Sequence, residues 1–250
     1  MPARAAPVPD DPDAPLIEEE GRRPAGPLRR LLGWVLRWVR WIVLRVLAVM
    51  AVLVLIFSVF NPPTTWTILR QATEPRGWTS LSEMAPVVPR AVVAAEDANF
   101  CSHWGFDMIE IRRVIASGSN RGASTITQQT AKNVFLWQGR SWTRKLLETT
   151  YTPMIEALWS KSHILEVYLN VAEFGPGVFG IRAAAAHHFK TTPDKLTARQ
   201  AAALAMVLPN PKERVPRTGS ARARAIADGA ATIAADGRAQ CFQVVRPNSP

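Results

Sequence analysis

Apolar and polar positions divide the chain into three stretches of different character. Residues 1–27 carry prolines at close intervals, an acidic stretch from Asp10 to Glu20, and no apolar period. A segment of that kind cannot bury enough surface to offset its chain entropy, so a disordered tail is expected. Residues 28–60 reverse the pattern. Arg29, Arg30, Arg37, Arg40 and Arg45 lead into a run from Val46 to Phe60 with no charge and one polar side chain, Ser58. With Trp41–Leu44 the run reaches ~20 residues, broken only by Arg45, which matches the thickness of a bilayer core. Arg45 can snorkel toward the headgroups, and Trp34, Trp38 and Trp41 suit the interface. A buried core helix would be shorter. A cleaved signal peptide would sit nearer the N-terminus and end in small residues, whereas Asn61-Pro62-Pro63 follows here. The pattern predicts one transmembrane helix. Because the arginines precede it, the tail faces the cytoplasm and the rest of the chain lies outside.

Residues 64–250 form the third stretch, one globular domain. Ile164, Leu165, Tyr168 and Leu169, and later Ala201–Val207, recur at helical spacing, and β-type alternation is scarce. Gly118, Gly122, Gly139, Gly175, Gly177 and the Pro209-Asn210-Pro211 turn punctuate the helices. The expected class is all-α. From Ala221 the chain is Ala-rich and Arg-bearing, a pattern that fits a packed helix and a mobile extension equally well.

Charge and cysteine content narrow the chemistry a little. The formal net charge is +10, and the excess continues through the third stretch. It suits an anionic partner such as anionic lipid or a phosphorylated substrate, and suits a merely soluble basic surface as well. Nucleic acid is not expected, since the domain is assigned to the outside and no binding motif is visible. The two cysteines, Cys101 and Cys241, lack metal-type spacing. They read more simply as free buried thiols than as a disulfide.

Five segments carry candidate chemistry. An apolar helical stretch, Val87–Ala95, delivers the adjacent acids Glu96 and Asp97 into a polar loop ending at Asp107. Neighbouring acids cannot both face solvent equally, so one is expected in a cleft, where a carboxylate can act as a general base. Surface acids at a helix C-terminus are the alternative, one the helix dipole disfavours. Next, Gly122-Ala123-Ser124-Thr125-Ile126-Thr127-Gln128-Gln129 runs into Lys132 and Asn133. A helix N-terminus of this kind can bind phosphate, although a capped helix with nothing bound is the commoner case. Arg144-Lys145 precede Glu148 by a helical turn, which puts them on one face, as in many surface ion pairs. The last two are the amphipathic segment Lys161–Gly180, in which Glu166 and Asn170 read as structural, and the apolar helix closed by Pro209-Asn210-Pro211.

In this order and spacing the segments resemble the glycosyltransferase domain of peptidoglycan polymerases, the family shared by monofunctional biosynthetic transglycosylases and class A penicillin-binding proteins. The resemblance covers residues 75–215. It rests on Glu-Asp-x-x-Phe-x-x-His-x-Gly from Glu96, Ser-Thr-Ile-Thr-Gln-Gln-x-x-Lys-Asn from Ser124, Arg-Lys-x-x-Glu from Arg144, and Ile-Leu-Glu-x-Tyr-Leu-Asn from Ile164. Ala123 departs from it, standing where many members have a second glycine. No Ser-x-x-Lys of a penicillin-binding domain occurs, so the monofunctional form is expected.

The resemblance implies a lysozyme-like helical domain with a smaller membrane-proximal subdomain. It implies polymerisation of lipid II, a disaccharide-peptide on a polyprenyl diphosphate, into β-1,4-linked strands with inversion at the anomeric carbon. Glu96 and Glu148 become the catalytic pair, with Glu96 as base and Glu148 in a positioning role. Asp97, His103, Ser124, Thr125, Gln128, Gln129, Lys132, Asn133, Arg144 and Lys145 become substrate-binding residues. Lys132, Arg144 and Lys145 are the charges for the departing diphosphate. A divalent cation (Mg or Mn) near Glu148 is compatible with the family but not required. Expected partners are lipid II, the growing glycan chain, the bilayer of the cytoplasmic (inner) membrane and other cell-wall synthesis or division proteins, with the domain in the periplasm. A lysozyme-like lytic enzyme and an inactive tethered scaffold are the alternatives. The basic cluster weighs against the first, and the intact Glu96 and Glu148 against the second.

Overall fold

The computed structural model describes residues 27–118, 122–139 and 141–243. The disorder expected of the N-terminal tail falls on residues outside that set.

The apolar run forms helix α1, Pro27–Val59. Trp34, Trp38 and Trp41 stack edge-on along it at 5.8 and 5.7 Å. It is the one helix among the described residues long and apolar enough to cross a membrane. The chain separates into two units, Met1–Leu47 and Ala48–Pro250, so the packed domain takes in the last turns of α1. Met50 and Val54 are buried there. The Val54 carbonyl accepts the Trp159 indole N–H at 2.8 Å, and the Phe57 carbonyl accepts from His163 Nε2 at 2.8 Å.

The rest of the domain is helical, as the periodicity predicts. In order come α2 (Trp66–Gln71), α3 (Val87–Glu96), α4 (Met108–Ser117), α5 (Ile126–Phe135), α6 (Trp142–Leu158) and α7 (Lys161–Val171). A hairpin follows, β1 (Glu173–Gly175) and β2 (Val178–Phe179), and then α8 (Ile181–Phe189), α9 (Ala198–Ala205) and α10 (Ala221–Ala235). Thr65, Asp107, Thr125, Ser141, Ser160, Thr197 and Ser220 cap helices by accepting backbone N–H bonds, which is why so many helices start on Ser or Thr.

Two packed groups build the core. Helix α5 lies against α6 and α7, and α3 lies against α9 and α10. Helix α7 is buried nearly all round, through Ile164, Leu165, Val167, Tyr168, Leu169 and Asn170. The small antiparallel hairpin pairs Glu173 with Phe179 and Gly175 with Val178. It ends at Gly180, whose φ is +83°; a Cβ there would stand 2.8 Å from the Asn170 carbonyl oxygen, so only glycine fits.

Glu166 and Asn170 are structural, as expected. Glu166 accepts from the Trp78 indole and the Leu81 amide, at 3.0 and 2.9 Å. Asn170 pairs with both the N–H and the C=O of Thr79. Together they clamp the segment entering α3 onto α7. On α2, just past α1, Ile68 is buried, while Trp66 and Leu69 are exposed.

One expectation changes, and one open alternative is decided. Cys101 and Cys241 are not free thiols but form a disulfide with a Cα–Cα distance of 5.6 Å, across a sequence separation of 140. The chain after Ala221 is helix α10, packed on α3 and α9, and the disulfide fastens the residues beyond it to the loop after α3. Nothing local to either cysteine announces the other, because the fold of the intervening helices brings them together.

Helix α4 stands apart. It has no buried residue, and Met108, Ile109 and Ile115 are exposed.

Candidate active site

Helix α3 ends at Glu96, and Asp97 turns the chain out of the helix with an extended φ of −161°. The two adjacent acids then part company. Asp97 is 6% exposed, and its oxygens are both used. Oδ1 pairs with His103 Nε2 at 2.8 Å, and Oδ2 accepts the Ile126 amide at 3.0 Å. Asp97 thus ties the loop after α3 to the first turn of α5, where a carboxylate also meets the positive end of the helix dipole.

A second set of bonds closes the same joint. Thr125 caps α5, exchanges a capping box with Gln128, and donates its hydroxyl to the Gly105 carbonyl at 2.7 Å. Gly105 has φ +81°, and a Cβ there would meet Thr152 Cγ2 at 2.4 Å. Below it, Lys161 Nζ donates to Glu156 and to the His103 carbonyl, at 2.8 and 2.7 Å, while the Thr127 hydroxyl donates to Glu156 at 2.6 Å. Asp97, His103, Thr125 and Gln128 were expected to touch substrate. In the structure Asp97, Thr125, Gln128 and one ring nitrogen of His103 bond within this framework, while the buried His103 Nδ1 has no hydrogen-bond partner among the described residues; Asp97, Thr125 and Gln128 are buried. The Thr-x-x-Gln spacing of a capping box was the available signal for the last two.

Glu96 is left with a different fate. Its Oε2 accepts from Gln129 Nε2 at 2.8 Å. Its Oε1 is buried and has no hydrogen-bond partner among the described residues. Burial pushes its carboxyl pKa above the usual glutamate range; the Gln129 bond and the charges of Arg222 and Lys132 pull the other way without cancelling it. Gln129 Oε1 in turn accepts the Tyr168 hydroxyl at 3.1 Å.

The second carboxylate lies on α6. Glu148 is 3% exposed. Its Oε2 accepts from Arg144 Nη1 at 2.8 Å, and Oε1 accepts from Lys145 Nζ. Arg144 is also anchored by an Nε bond to the Gly139 carbonyl at 2.7 Å. Between the two carboxylates runs α5 with Lys132. Burial lowers the Lys132 pKa; Glu148 and Glu96 oppose that, and Arg144 and Lys145 reinforce it. Lys132 is therefore within electrostatic reach of both acids and of both other cations. Ser124 and Asn133 are half-buried near the two ends of this stretch of α5.

The structure thus gathers Glu96, Gln129, Lys132, Arg144, Lys145 and Glu148 along α3, α5 and α6. Sequence reasoning did not single out Tyr168, Glu156, Lys161, Thr127 or Arg222. Tyr168 stood inside a quoted motif. The Glu156–Lys161 pair spans the break between α6 and α7, where helical spacing gives no cue. A cavity of about 410 Å³ near Thr79, Arg182 and Asp194 includes none of the two catalytic candidates or the three cations.

A divalent cation does not suit the protein's own donors here. Both Glu148 oxygens are bonded to cations, and no cluster of three His, Cys, Asp or Glu exists among the described residues.

What the arrangement can do is specific. A carboxylate with one pinned and one bare oxygen can accept a proton, and a group of cations set apart from it can receive a leaving anion.

Comparison with known proteins agrees. A family model described as Transglycosylase matches residues 64–234. The chain is 61% identical over 171 residues to the biosynthetic peptidoglycan transglycosylase of Jannaschia sp. (strain CCS1), covering 67% of this chain and 72% of that protein. It is 54% identical over 140 residues to the protein of the same description from Escherichia coli (strain ATCC 8739), and 52% identical over 154 residues to that from Cronobacter sakazakii (strain ATCC BAA-894). It spans 58% and 64% of those two, less than two thirds of either. With the match running from just past α1 almost to the end of α10, this chain belongs to the transglycosylase family.

Proposed function

We propose that the chain carries out the peptidoglycan glycosyltransferase activity of its family on lipid II, with Glu96 as general base and with Lys132, Arg144 and Lys145 holding the leaving diphosphate. The observation that carries this reading is the asymmetry of Glu96. One oxygen is fixed by Gln129, and the other is buried, bare and without a partner.

In this account the acceptor sugar presents its 4-hydroxyl to Glu96 Oε1. The oxygen attacks the anomeric carbon of the donor, its proton passes to Glu96, and the bond from that carbon to the diphosphate breaks. A new β-1,4 link forms and the α linkage is lost, so the centre inverts. The leaving group departs as an anion and needs positive charge more than a proton. Arg144, held at Gly139 and Glu148, keeps its Nη2 for a phosphate oxygen; no bond from Nη2 exists among the described residues. Glu148 orients Arg144 and Lys145 and is fully occupied in doing so. A hydrolase cutting a neutral glycosidic bond has no use for these cations, which disfavours the lytic alternative.

The site is assigned to the outer face of the inner membrane, with the N-terminus in the cytoplasm. Two features support this. Arginines precede the apolar helix, and the Cys101–Cys241 disulfide is a bond that persists in oxidising compartments. Exposed Met108, Ile109 and Ile115 on α4, with Trp104 and Trp142 elsewhere on the surface, support contact with lipid, where a lipid-linked substrate resides. The growing glycan and other cell-wall synthesis or division proteins complete the expected partners.

The test is incubation of detergent-solubilised protein with labelled lipid II, followed by separation by size. Long products that a muramidase digests support the account. No product from lipid II, together with fragments released from preformed peptidoglycan, overturns it.

A further inference from the structure

Glu96 can act as a base only while one of its oxygens is bare and the carboxylate is held still. Its single hydrogen-bond partner among the described residues is the Gln129 amide. A glutamine side chain has two ends of nearly equal shape and opposite polarity. Turned one way it donates to the carboxylate. Turned the other way it sets Oε1 against a carboxylate oxygen, which is repulsive. Some other group must decide between the two orientations.

Tyr168 is that group by position. It is 1% exposed, on the most deeply buried helix of the domain. Its hydroxyl makes one hydrogen bond, to Gln129 Oε1 at 3.1 Å. Burial, and the nearby charges of Glu96 and Asp97, hold the phenol far above its ordinary pKa, so it keeps its proton and must donate it. A donor that cannot ionise needs an acceptor, and the one it meets among the described residues is the carbonyl end of the amide. The amide nitrogen is thereby turned toward Glu96 Oε2, leaving Oε1 as the bare oxygen.

We propose that Tyr168 is a positioning residue for the transfer reaction: through Gln129 it fixes which oxygen of Glu96 takes the acceptor's proton. The proposal rests on the assignment of Glu96 as base. The groups that bear on Glu96 are Gln129 and Lys132 from α5, Arg222 from α10, Tyr168 from α7 and the neighbouring Asp97. Lys132 is itself under the influence of Glu148, Arg144 and Lys145 on α6. None of these charges is altered by removing the Tyr168 hydroxyl, so its effect can be read separately.

The experiment is the single-turnover rate on labelled lipid II across pH, with full-length protein in detergent, for the parent, Tyr168→Phe, Gln129→Leu and the double variant. Glu96→Gln is run beside them. Without the tyrosine donor the amide can turn, the bond that favours the ionised carboxylate weakens, and Glu96 holds its proton more tightly. Tyr168→Phe is therefore expected to move the acid limb to higher pH and to lower the rate on that limb about 3- to 10-fold, the usual weight of one hydrogen bond. The rate is expected to recover as pH rises. In the Gln129→Leu background the same change is expected to add nothing. A loss equal at every pH, or a full additional loss in that background, overturns the proposal. Should Tyr168→Phe fail to fold, Gln129→Leu alone must still raise the acid limb, and an unmoved limb overturns the proposal. Normal turnover by Glu96→Gln would instead remove the base assignment itself. An inactive Glu96→Gln beside a parent-like Tyr168→Phe profile would retain the base and reject the relay.

Discussion

The two carboxylates of the site sit in opposite surroundings. Glu96, at the end of α3, has one neutral donor and one bare buried oxygen. Glu148, on α6, has a cation on each oxygen. Both are largely sequestered from water, so burial alone does not separate their roles; what separates them is partnership. A desolvated carboxylate with no cation bonded to it holds a proton above the ordinary glutamate range and can exchange it. A carboxylate bonded to an arginine and a lysine has no free oxygen to offer, but it fixes those cations for an anionic ligand. On the proposed reading, the same residue type serves proton transfer at one end of the site and charge placement at the other.

Substitutions sharpen this contrast to different degrees. The largest effect is expected from Glu96→Gln, which keeps the shape and removes the proton acceptor. Turnover should fall by about 10²- to 10⁴-fold while lipid II binding, measured by titration, is preserved. Because folding raises the Glu96 pKa, the folded state binds this proton more tightly than the unfolded state, so the ionised group disfavours folding above that pKa. The variant should therefore melt no lower than the parent at neutral pH, and a lower melting temperature would contradict the burial argument.

Loss of the disulfide comes next, as it bears on the Glu96 end alone. Cys101→Ser is expected to cost about 2–5 kcal/mol in a denaturant titration. It should disturb the loop carrying Asp97 and His103 more than Arg144 or Lys145. Arg144→Ala follows: affinity for the donor diphosphate should weaken by about 2 kcal/mol, with the acid limb of the pH profile unmoved. Unchanged affinity would remove Arg144 from the site. The smallest effect is expected from Glu148→Gln, a loss of about tenfold in turnover, corresponding to about 1.4 kcal/mol, again with the acid limb in place. A loss matching that of Glu96→Gln would erase the distinction between the two.

Much of this was legible in the sequence because its determinants are local. The apolar run of α1 follows from composition over one window. Thr125 and Gln128 stand at capping-box spacing, and Arg144 and Glu148 stand one turn apart. The motif resemblance supplied Glu96, Lys132 and Gln129. Long-range pairings were not legible. Cys101 and Cys241 meet only because α10 packs on α3, and the Glu156–Lys161 pair forms across a helix break. The loop-holding bonds of Asp97 and His103 were not legible either, for a physical reason. A polar residue beside a catalytic one can equally be the bond that holds the loop, and only the partners of each atom distinguish the two.

The most direct test of the central claim is the single-turnover rate of lipid II polymerisation against pH for the parent and for Glu148→Gln. Glu96 must be ionised to accept a proton, and its pKa is raised, so the rate should fall with decreasing pH through a limb lying above the ordinary glutamate range. That limb should persist in Glu148→Gln at reduced amplitude. A profile without an acid limb, or one whose limb vanishes when Glu148 is replaced, would contradict the assignment of Glu96 as the base.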